Sequence, residues 1–246
     1  MNISVCLATY NGAKYIEIQL HSILRQLSVS DEVIILDDFS KDNTLDLVRN
    51  FEDKRIKVFK NEINRGHVYS FGKAIELASN ELIFMCDQDD IWLDRRLEFM
   101  KGSLLKSKAL LISTNSNFID SDGNIIDYSL DGVNSISSDK HFKNILDIFV
   151  GKTNYVGCAM AFKKELNKLI LPIPSYVESH DLWIAMAANI IKANLHLDEQ
   201  TLSRRIHGNN ASFVKRKLLP KLWSRMVFLI SVIQLYYRSL LRKKYK

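Results

Sequence analysis

The sequence predicts an α/β protein with a mostly parallel sheet flanked by helices. Over the first half of the chain, short β-branched or apolar runs alternate with stretches whose apolar residues recur at helical spacing. Helical crossovers between successive strands make those strands parallel. Of the 246 residues, 47% are apolar and only three are prolines, so the chain is long enough to bury one large core.

The predicted elements of the first half alternate along the chain. Strands are predicted at residues 3–8, 32–37, 56–60, 82–86 and 110–114. Helices are predicted between them at residues 15–26, 44–51, 69–78 and 95–106. In the first of these helices, Ile16, Leu20 and Ile23 are spaced so that they fall on one face.

The second half has a less regular pattern. Residues 120–124, Asp-Ser-Asp-Gly-Asn, have strong turn chemistry between two β-like segments and predict a hairpin. The polar stretch 130–140 is expected to be a loop. A helix at 141–149, a strand at 159–162 and a helix at 181–191 complete the prediction.

The cysteines and the amino-terminal residues indicate the cellular compartment. Cys6, Cys86 and Cys158 are odd in number and lie in apolar stretches, which favours buried thiols over a disulfide framework. Residues 1–10 show no charged leader, continuous apolar run or small-residue cleavage site. We therefore expect a cytoplasmic protein.

Positive charge is concentrated near the carboxyl end. Residues 200–246 contain 12 Lys or Arg and no Asp or Glu, whereas the remainder has 22 basic and 28 acidic residues. Such a segment is typical of an attachment surface for anionic lipid or nucleic acid. A solvated tail that only aids solubility is the plain alternative.

From Leu218 onward the sequence has a helical period. Its predicted apolar side consists of Leu222, Met226, Leu229, Ile230, Ile233, Tyr237, Leu240 and Leu241. The most apolar part, 226–237, is shorter than the about 20 residues that cross a bilayer. We therefore predict a basic amphipathic helix over 214–246 that lies on a membrane surface. Packing on the rest of the chain, or on a partner subunit, fits the period equally well, and the charge favours the membrane.

An acidic motif, Cys86-Asp-Gln-Asp-Asp90, directly follows an apolar predicted strand. Its three carboxylates repel one another unless a divalent cation neutralises them. Oxygen ligands suit Mg²⁺ or Mn²⁺, which also bind substrate phosphates, and the carboxyl ends of parallel strands are where α/β sheets bind ligands. For this motif alone, a solvated acidic turn that caps the next helix would be the better interpretation. The motifs around it make Asp87 and Asp89 candidate metal ligands.

Polar motifs follow the first two predicted strands at the same edge of the sheet. Thr9, Tyr10 and Asn11 leave the first strand, where they can line a nucleotide pocket. Asp37 ends the second strand and offers an acceptor to a pyrimidine N–H. The polar residues at 40–44 are better explained as helix caps.

A third motif, Asn64-Arg-Gly66, follows the third predicted strand. The glycine permits close approach of the backbone to a ligand, and Arg65 can face a phosphate. A simple turn is the alternative.

The motifs ATYNG, DDFSKDNT, NRG and DQDDIW, at these spacings, resemble the family 2 inverting glycosyltransferases with the GT-A fold. A looser similarity points to bacterial polysaccharide rhamnosyl-, glucosyl- and galactosyltransferases. The resemblance implies a catalytic domain at 1–213, in which 1–115 binds the nucleotide sugar and 116–213 faces the acceptor. It also implies Mn²⁺ or Mg²⁺ as cofactor. The residues that it implies for the donor site are Thr9, Tyr10, Asn11, Asp37, Asn64, Arg65, Asp87, Gln88 and Asp89, with Asp90 as a neighbouring candidate.

The resemblance extends to two later segments. Glu178-Ser-His-Asp181 resembles the segment that supplies the catalytic base, which implies that role for Asp181 with Glu178 as runner-up. By position alone, Asp181 would rather be a capping acid at a helix start. Residues 204–212 resemble a late R-x-H-G-x-N segment matched by Arg205, His207 and Asn210, which implies a diphosphate contact for Arg205 and a metal contact for His207. Imidazole is a poor ligand for Mg²⁺, and the segment is also a candidate lid over the donor.

The predicted function is inverting transfer of a sugar from a UDP-hexose or dTDP-rhamnose donor. The acceptor is expected to be a lipid-linked oligosaccharide at the inner face of the cell membrane, and nucleic acid is not an expected partner. A sugar nucleotidyltransferase would also use acidic metal ligands, but it should carry a glycine-rich basic loop that this chain lacks. The other alternative is a non-enzymatic adaptor that binds membrane or nucleic acid, and the basic tail is the only feature that supports it.

Overall fold

The computed structural model describes residues 1–152, 155–207 and 218–244, except for the side chains of 218–221 and 243–244. Its strands are β1 Ile3–Thr9, β2 Glu32–Asp37, β3 Ile56–Lys60, β4 Leu82–Cys86, β5 Ile91–Trp92, β6 Leu111–Ile119, β7 Met160–Lys163 and β8 Asn194–Arg205. Its helices are α1 Ile16–Leu24, α2 Thr44–Arg49, α3 His67–Leu77, α4 Arg96–Lys106, α5 His141–Val150, α6 Asn167–Ile170, α7 His180–Ile190 and α8 Leu218–Lys244.

The strands form one sheet in the order β3-β2-β1-β4-β7-β6-β8-β5 within the described residues. β1 pairs in parallel with β2 and with β4, and β2 pairs in parallel with β3. β1, β2 and β4 are buried on both faces, which explains their apolar runs, whereas β3 at the edge of the sheet is partly exposed. In the register, Thr9 lies opposite Asp37 and Leu7 opposite Cys86. The polar motifs that follow these strands are therefore neighbours in space.

The other half of the sheet is mixed. β7 runs antiparallel to both β4 and β6, whereas β8 is parallel to β6 and antiparallel to β5. The expectation of parallel strands thus holds best for the amino-terminal half. β8 was not predicted, because charged and polar residues interrupt its apolar positions, Leu195, Leu197 and Leu202.

The predicted hairpin at 120–124 forms over a short length, and the Ile126 backbone N–H donates to the Phe118 carbonyl across it at 3.0 Å. The turn itself forms: Asp120 Oδ1 accepts hydrogen bonds from the backbone N–H groups of Asp122 and Asn124, both at 2.9 Å. Beyond the turn, the assigned β-pairing is a single bridge between Ile119 and Ile125. Ile125 is 77% exposed, so little burial stabilises a second strand there.

Helices cover both faces of the sheet. α1, α2 and α4 pack over one face, with Leu20, Val48 and Met100 in the core. α3, α5, α6 and α7 pack over the other, with Phe71 and Trp183 in the core. All three cysteines are buried and free, as expected.

Helix α8 packs on α6 and α7 through a narrow face. Val227, Ser231, Leu235 and Ser239 recur every fourth residue on this face and are all buried. Small serine side chains allow the helices to approach closely. The predicted alternative, packing on the rest of the chain, is therefore observed for this face.

The opposite face of α8 is apolar and exposed. Its exposed side chains are Leu222, Trp223, Met226, Leu229, Ile230, Ile233, Tyr236, Tyr237, Leu240 and Leu241. This set contains the whole apolar side predicted from the sequence. Among the described helices, none combines the length and apolar content required to cross a bilayer.

Candidate active site

A cavity of about 1700 Å³ opens where β1 and β4 end, beside the start of α7 and the end of β8. Its volume exceeds the roughly 300–1,000 Å³ of most ligand pockets, which leaves room for more than one ligand. The predicted residues that line it are Thr9, Tyr10, Asn11, Asn64, Asp87, Gln88, Asp89, Asp181, Arg205 and His207. Asp37 and Arg65 were also predicted, but they do not line it.

Gln88 joins the ends of β1 and β4. Its Oε1 atom accepts hydrogen bonds from Thr9 Oγ1 at 2.6 Å and from the Tyr10 backbone N–H at 2.9 Å. Its Nε2 group donates to the Tyr10 carbonyl at 3.2 Å. A Cβ atom at Gly12 would lie 2.3 Å from Gln88 Oε1, so glycine is required for this contact. The first motif and the acidic motif therefore form one unit.

The loop after β2 is tied to the loop after β1. The Asn11 backbone N–H donates to Ser40 Oγ at 2.9 Å, and Asn11 Oδ1 accepts from the Lys41 N–H at 2.8 Å. Asp37 is fully buried: its Oδ2 accepts from the Ser40 N–H, and its Oδ1 has no hydrogen-bond partner among the described residues. Asp38, which was not predicted, lines the cavity instead.

Asp38 shapes the Asn64-Arg65-Gly66 motif. Its carboxylate accepts hydrogen bonds from the backbone N–H groups of Arg65 at 2.8 Å and Gly66 at 2.7 Å. Asn64 lines the cavity, whereas the Arg65 guanidinium lies 4.8 Å from the ring centre of Tyr69. In this arrangement Arg65 is placed on the surface rather than in the pocket.

The acidic motif forms a cluster suited to a divalent cation. Ligand atoms of Asp87, Asp90 and Cys158 lie within 4.8 Å of one another. Burial raises the pKa of Asp87 and of Asp90, and repulsion from the neighbouring carboxylates raises both further. Asp90 Oδ2 has no hydrogen-bond partner among the described residues. Crowded carboxylates with an unsatisfied oxygen are the environment that a bound cation would stabilise.

Asp89 lies beside this cluster and contacts His207. The distance from His207 Nε2 to Asp89 Oδ2 is 2.8 Å, and the imidazole stacks on Tyr15 with ring centres 5.2 Å apart. The structure thus brings together two predicted metal ligands that lie 118 residues apart in sequence. Asn210 and the rest of the predicted lid, 208–212, lie outside the described residues.

The two arginines that end β8 have different surroundings. Arg205 donates to the backbone carbonyls of Asp89 and Asp120, both at 2.9 Å, so it holds the acidic loop in place. Burial lowers the pKa of the Arg204 guanidinium, but the charged groups around it, Asp87 and Asp181 among them, raise it above its ordinary value. Arg204 thus interacts electrostatically with carboxylates of the cavity. Arg205, the predicted residue, also lines the cavity, and Arg204 was not predicted because the alternation of a strand was not recognised there.

Asp181 lies in the first turn of α7 and lines the cavity. Its Oδ1 atom accepts hydrogen bonds from the Ser179 hydroxyl and, at 2.8 Å, from the Leu182 backbone N–H. The second carboxylate oxygen is therefore the one available to a substrate. Glu178 also lines the cavity and accepts a hydrogen bond from the Ser224 hydroxyl of α8 at 2.6 Å.

Solved structures share this architecture. The structure of S. aureus TarS 1-349 in complex with UDP-GlcNAc superposes with a TM-score of 0.73 at 18% identity, over 95% of this chain and 67% of that one. The mannosyltransferase PcManGT from Pyrobaculum calidifontis, in complex with GDP-Man and Mn²⁺, gives a TM-score of 0.62 at 16% identity, over 96% of this chain and 73% of that one. The fold is therefore the GT-A fold, as predicted.

The model of glycosyl transferase family 2 matches residues 4–171, and the chain belongs to this family. TuaG of Bacillus subtilis, a glycosyltransferase assigned to teichuronic acid biosynthesis, is 28% identical over 90% of this chain and 85% of its own length. WfgD of Escherichia coli, a UDP-Glc:alpha-D-GlcNAc-diphosphoundecaprenol beta-1,3-glucosyltransferase, is 32% identical over 48% of this chain and 46% of its own. The predicted family is confirmed. Membership in it favours a glycosyltransferase over the two alternative functions, a nucleotidyltransferase and a non-enzymatic adaptor.

Proposed function

We propose that this glycosyltransferase moves one sugar from a nucleotide-diphosphate donor, UDP-hexose or dTDP-rhamnose, to a lipid-linked oligosaccharide, with inversion at the anomeric carbon. The observation that carries the proposal is the single cavity that contains both the acidic motif and Asp181. In the proposed domain of residues 1–213, the part up to 115 binds the donor and the remainder faces the acceptor.

Asp181 would act as the base. The acceptor hydroxyl oxygen attacks the anomeric carbon while its proton passes to the Asp181 carboxylate. The bond between that carbon and the diphosphate oxygen breaks, and its electron pair leaves with the nucleoside diphosphate. Arg204, whose guanidinium interacts with the Asp87 carboxylate, would face the leaving group.

The acidic motif would hold a divalent cation. Asp87, Asp90 and Cys158 bring oxygen donors and one sulfur donor together. Asp89, the other predicted ligand, lies beside them and also lines the cavity. When bound, Mn²⁺ or Mg²⁺ would supply positive charge that stabilises the departing diphosphate. The softer thiol favours Mn²⁺ over Mg²⁺ if Cys158 takes part. His207, paired with Asp89, would position that carboxylate or join it as a ligand.

Helix α8 supports an acceptor at a membrane. Its outward face is a continuous apolar surface, and its inward edge contributes Ser224, Arg225 and Phe228 to the cavity. A helix with one apolar face and basic residues is suited to lie in the lipid headgroup region. A lipid-linked acceptor would then enter the cavity next to the membrane. The proposed location is the inner face of the cell membrane.

The experiment is a thermal-shift screen of the purified protein with UDP, dTDP, GDP and CDP, each with and without Mn²⁺. Stabilisation by one diphosphate that depends on Mn²⁺ supports the donor site. Transfer to GlcNAc-diphosphoundecaprenol from the matching nucleotide sugar is then measured, and the configuration of the new linkage is assigned by NMR. Failure of all four diphosphates to stabilise the protein would overturn the proposed donor class, and retention of configuration would overturn the direct displacement.

A further inference from the structure

Arg225 lies where α8 meets the end of α5. The residue is half-buried and lines the cavity, as Ile148 and Gly151 at the end of α5 also do. Its guanidinium lies 5.0 Å from the ring centre of Phe149. A Cβ atom built at Gly151, the residue that caps α5 with a φ of 76°, would lie 3.7 Å from Arg225 Nη2. The guanidinium is therefore at the wall of the cavity and partly accessible.

Most of the hydrogen-bonding capacity of Arg225 is unused within the described residues. Its side chain makes one hydrogen bond there, from Nη1 to the Ile148 carbonyl at 3.5 Å, which is long for such a bond. A guanidinium has five N–H donors and a permanent positive charge. The neighbouring Ser224 donates to Glu178, but no carboxylate in the described part of the chain forms an ion pair with Arg225. Charge and donors thus remain for an anion in the cavity.

The two other arginines of α8 have partners that hold the helix in place. Arg238 donates to three backbone carbonyls of residues 169–172, at 2.9 to 3.4 Å. Arg242 forms an ion pair with Glu165. Neither of them lines the cavity. Arg225 therefore differs from them in both its position and its unneutralised charge.

Exposed apolar side chains lie next to this arginine on both helices. Phe149 of α5 packs on Phe228 of α8 with ring centres 5.3 Å apart. The following residue of each helix, Val150 and Leu229, is 51% and 52% exposed. A helix whose outward side inserts among lipids has its inward residues near the depth of the phosphate groups. Arg225 is thus positioned at the boundary between the proposed membrane surface and the cavity.

This boundary is where the phosphate of a lipid-linked saccharide must lie, because the phosphate joins the lipid to the sugar. A guanidinium matches the oxygens of a phosphate group in bidentate geometry. The diphosphate of the donor has a different proposed place, at the acidic motif that follows β4. We propose that Arg225 binds a phosphate of the lipid-linked acceptor and so holds the acceptor sugar in the cavity that contains Asp181. This inference rests on the proposed function.

The test measures binding of a prenyl diphosphate while the donor site is filled. Dissociation constants of farnesyl diphosphate and of farnesol are measured by calorimetry with Mn²⁺ and a saturating concentration of the nucleoside diphosphate that stabilises the protein. Arg225→Gln should weaken farnesyl diphosphate about tenfold or more and leave farnesol unchanged, because farnesol has no charge to pair. Arg225→Lys keeps the charge without the bidentate contact and should lie between the two. Arg242→Gln, in α8 but outside the cavity, is the matched control.

Kinetics with GlcNAc-diphosphoundecaprenol provide a second readout. Arg225→Gln should raise the KM for this acceptor about tenfold. The KM for the nucleotide sugar, and kcat at saturating acceptor, should stay within about twofold of the wild type, because the lost contact is present in the bound acceptor before reaction. A purely structural role of Arg225 would instead change both KM values and lower the melting temperature.

The phosphate of a membrane lipid is the competing source of this chemistry. Sedimentation with phosphatidylglycerol vesicles compares the wild type with Arg225→Gln, and the bound fractions should be equal if the guanidinium faces the cavity. A variant that loses vesicle binding but keeps its affinity for farnesyl diphosphate would assign Arg225 to lipid headgroups and overturn the proposal.

The remaining outcomes distinguish this inference from the proposed function. A wild-type protein that binds no nucleoside diphosphate overturns both. A wild type that binds the nucleoside diphosphate but not farnesyl diphosphate, or an Arg225→Gln variant with unchanged affinity for farnesyl diphosphate, overturns the role of Arg225 alone. If Arg225→Gln does not fold, Arg225→Lys is compared with Arg242→Lys in the same assays.

Discussion

The Nε2 atom of His207 lies 2.8 Å from Oδ2 of Asp89, and this contact connects the end of β8 to the loop that follows β4. Both side chains are 15% exposed. Because β4 and β8 are not neighbours in the sheet, this contact, with the hydrogen bonds of Arg205, closes one side of the cavity. The acidic loop is therefore held from two directions: by Gln88 from β1 and by β8.

The first prediction concerns this contact. Asp89→Asn removes a charge that the proposed cation needs, so Mn²⁺-dependent binding of the selected nucleoside diphosphate should weaken about tenfold or more. His207→Ala should weaken it less if the imidazole only positions Asp89, and equally if it is a ligand. Calorimetry with and without Mn²⁺ measures both variants, with His21→Ala as control. Unchanged binding in Asp89→Asn would remove this residue from the metal site.

The second prediction separates the two carboxylates near the start of α7. Asp181→Asn should reduce transfer at least about 100-fold, because proton transfer from the acceptor is lost, while the diphosphate still binds. Glu178→Gln keeps the hydrogen bond from Ser224 and should reduce transfer by less than about tenfold. Initial rates with saturating donor provide the measurement. The reverse order of the two effects would make Glu178 the base.

A third prediction tests the outward face of α8. Replacing Leu229, Ile233 and Leu240 together with Ser removes apolar area that would insert among lipids, so binding to phosphatidylglycerol vesicles should fall sharply. Sedimentation with the vesicles measures the bound fraction. Ile63→Ser and Val29→Ser, at exposed apolar positions elsewhere, should bind as the wild type does. Equal binding by the triple variant would show that this face does not contact lipid.

The fourth prediction uses Gly12. Gly12→Ala should displace Gln88 and weaken binding of the nucleoside diphosphate, because the new Cβ atom would lie 2.3 Å from Gln88 Oε1. Gly102→Ala is a matched control: no atom lies within 4 Å of its added Cβ, and alanine in α4 should stabilise the fold by up to about 1 kcal/mol. Thermal unfolding with and without ligand distinguishes the two. A Gly12→Ala variant with normal binding would show that the Gln88 contact is dispensable.

The fifth prediction concerns stability in acid. Burial alone would raise the pKa of Glu32, but hydrogen bonds from Lys57, Ser4 and Ser79 outweigh it and hold the pKa at about 2. Because the folded-state pKa is lowered, this group stabilises the protein above its unfolded value of 4.5, and the contribution is lost as the pH falls toward 2.

Glu32→Gln should therefore lower the free energy of unfolding by about 1–3 kcal/mol at pH 7. The difference from the wild type should narrow from about pH 5 to about pH 2. Urea denaturation at several pH values measures it. Glu98→Gln, from an exposed ion pair with Arg95, should change stability by less than about 0.5 kcal/mol at any pH. A Glu32→Gln difference that does not vary with pH would contradict the assignment.

Local patterns in the chain were sufficient for the donor half of the fold. β1, β2 and β4 are largely apolar runs, and β3 mixes apolar residues with lysines. Each is followed by a polar motif, and parallel pairing places those motifs at one edge of the sheet. The apolar side of α8 could also be predicted from the sequence, because helical periodicity depends on residues that are close together in the chain.

Contacts between distant segments decided the rest. β8 carries charged residues and is a strand because β6 and β5 pair with it, and only that pairing separates the roles of Arg204 and Arg205. Asp38, Cys158 and His180 are ordinary residues in the sequence. Folding brings Asp38 and His180 to the wall of one cavity and places Cys158 against Asp87 and Asp90. These placements depend on tertiary packing, which no local pattern encodes.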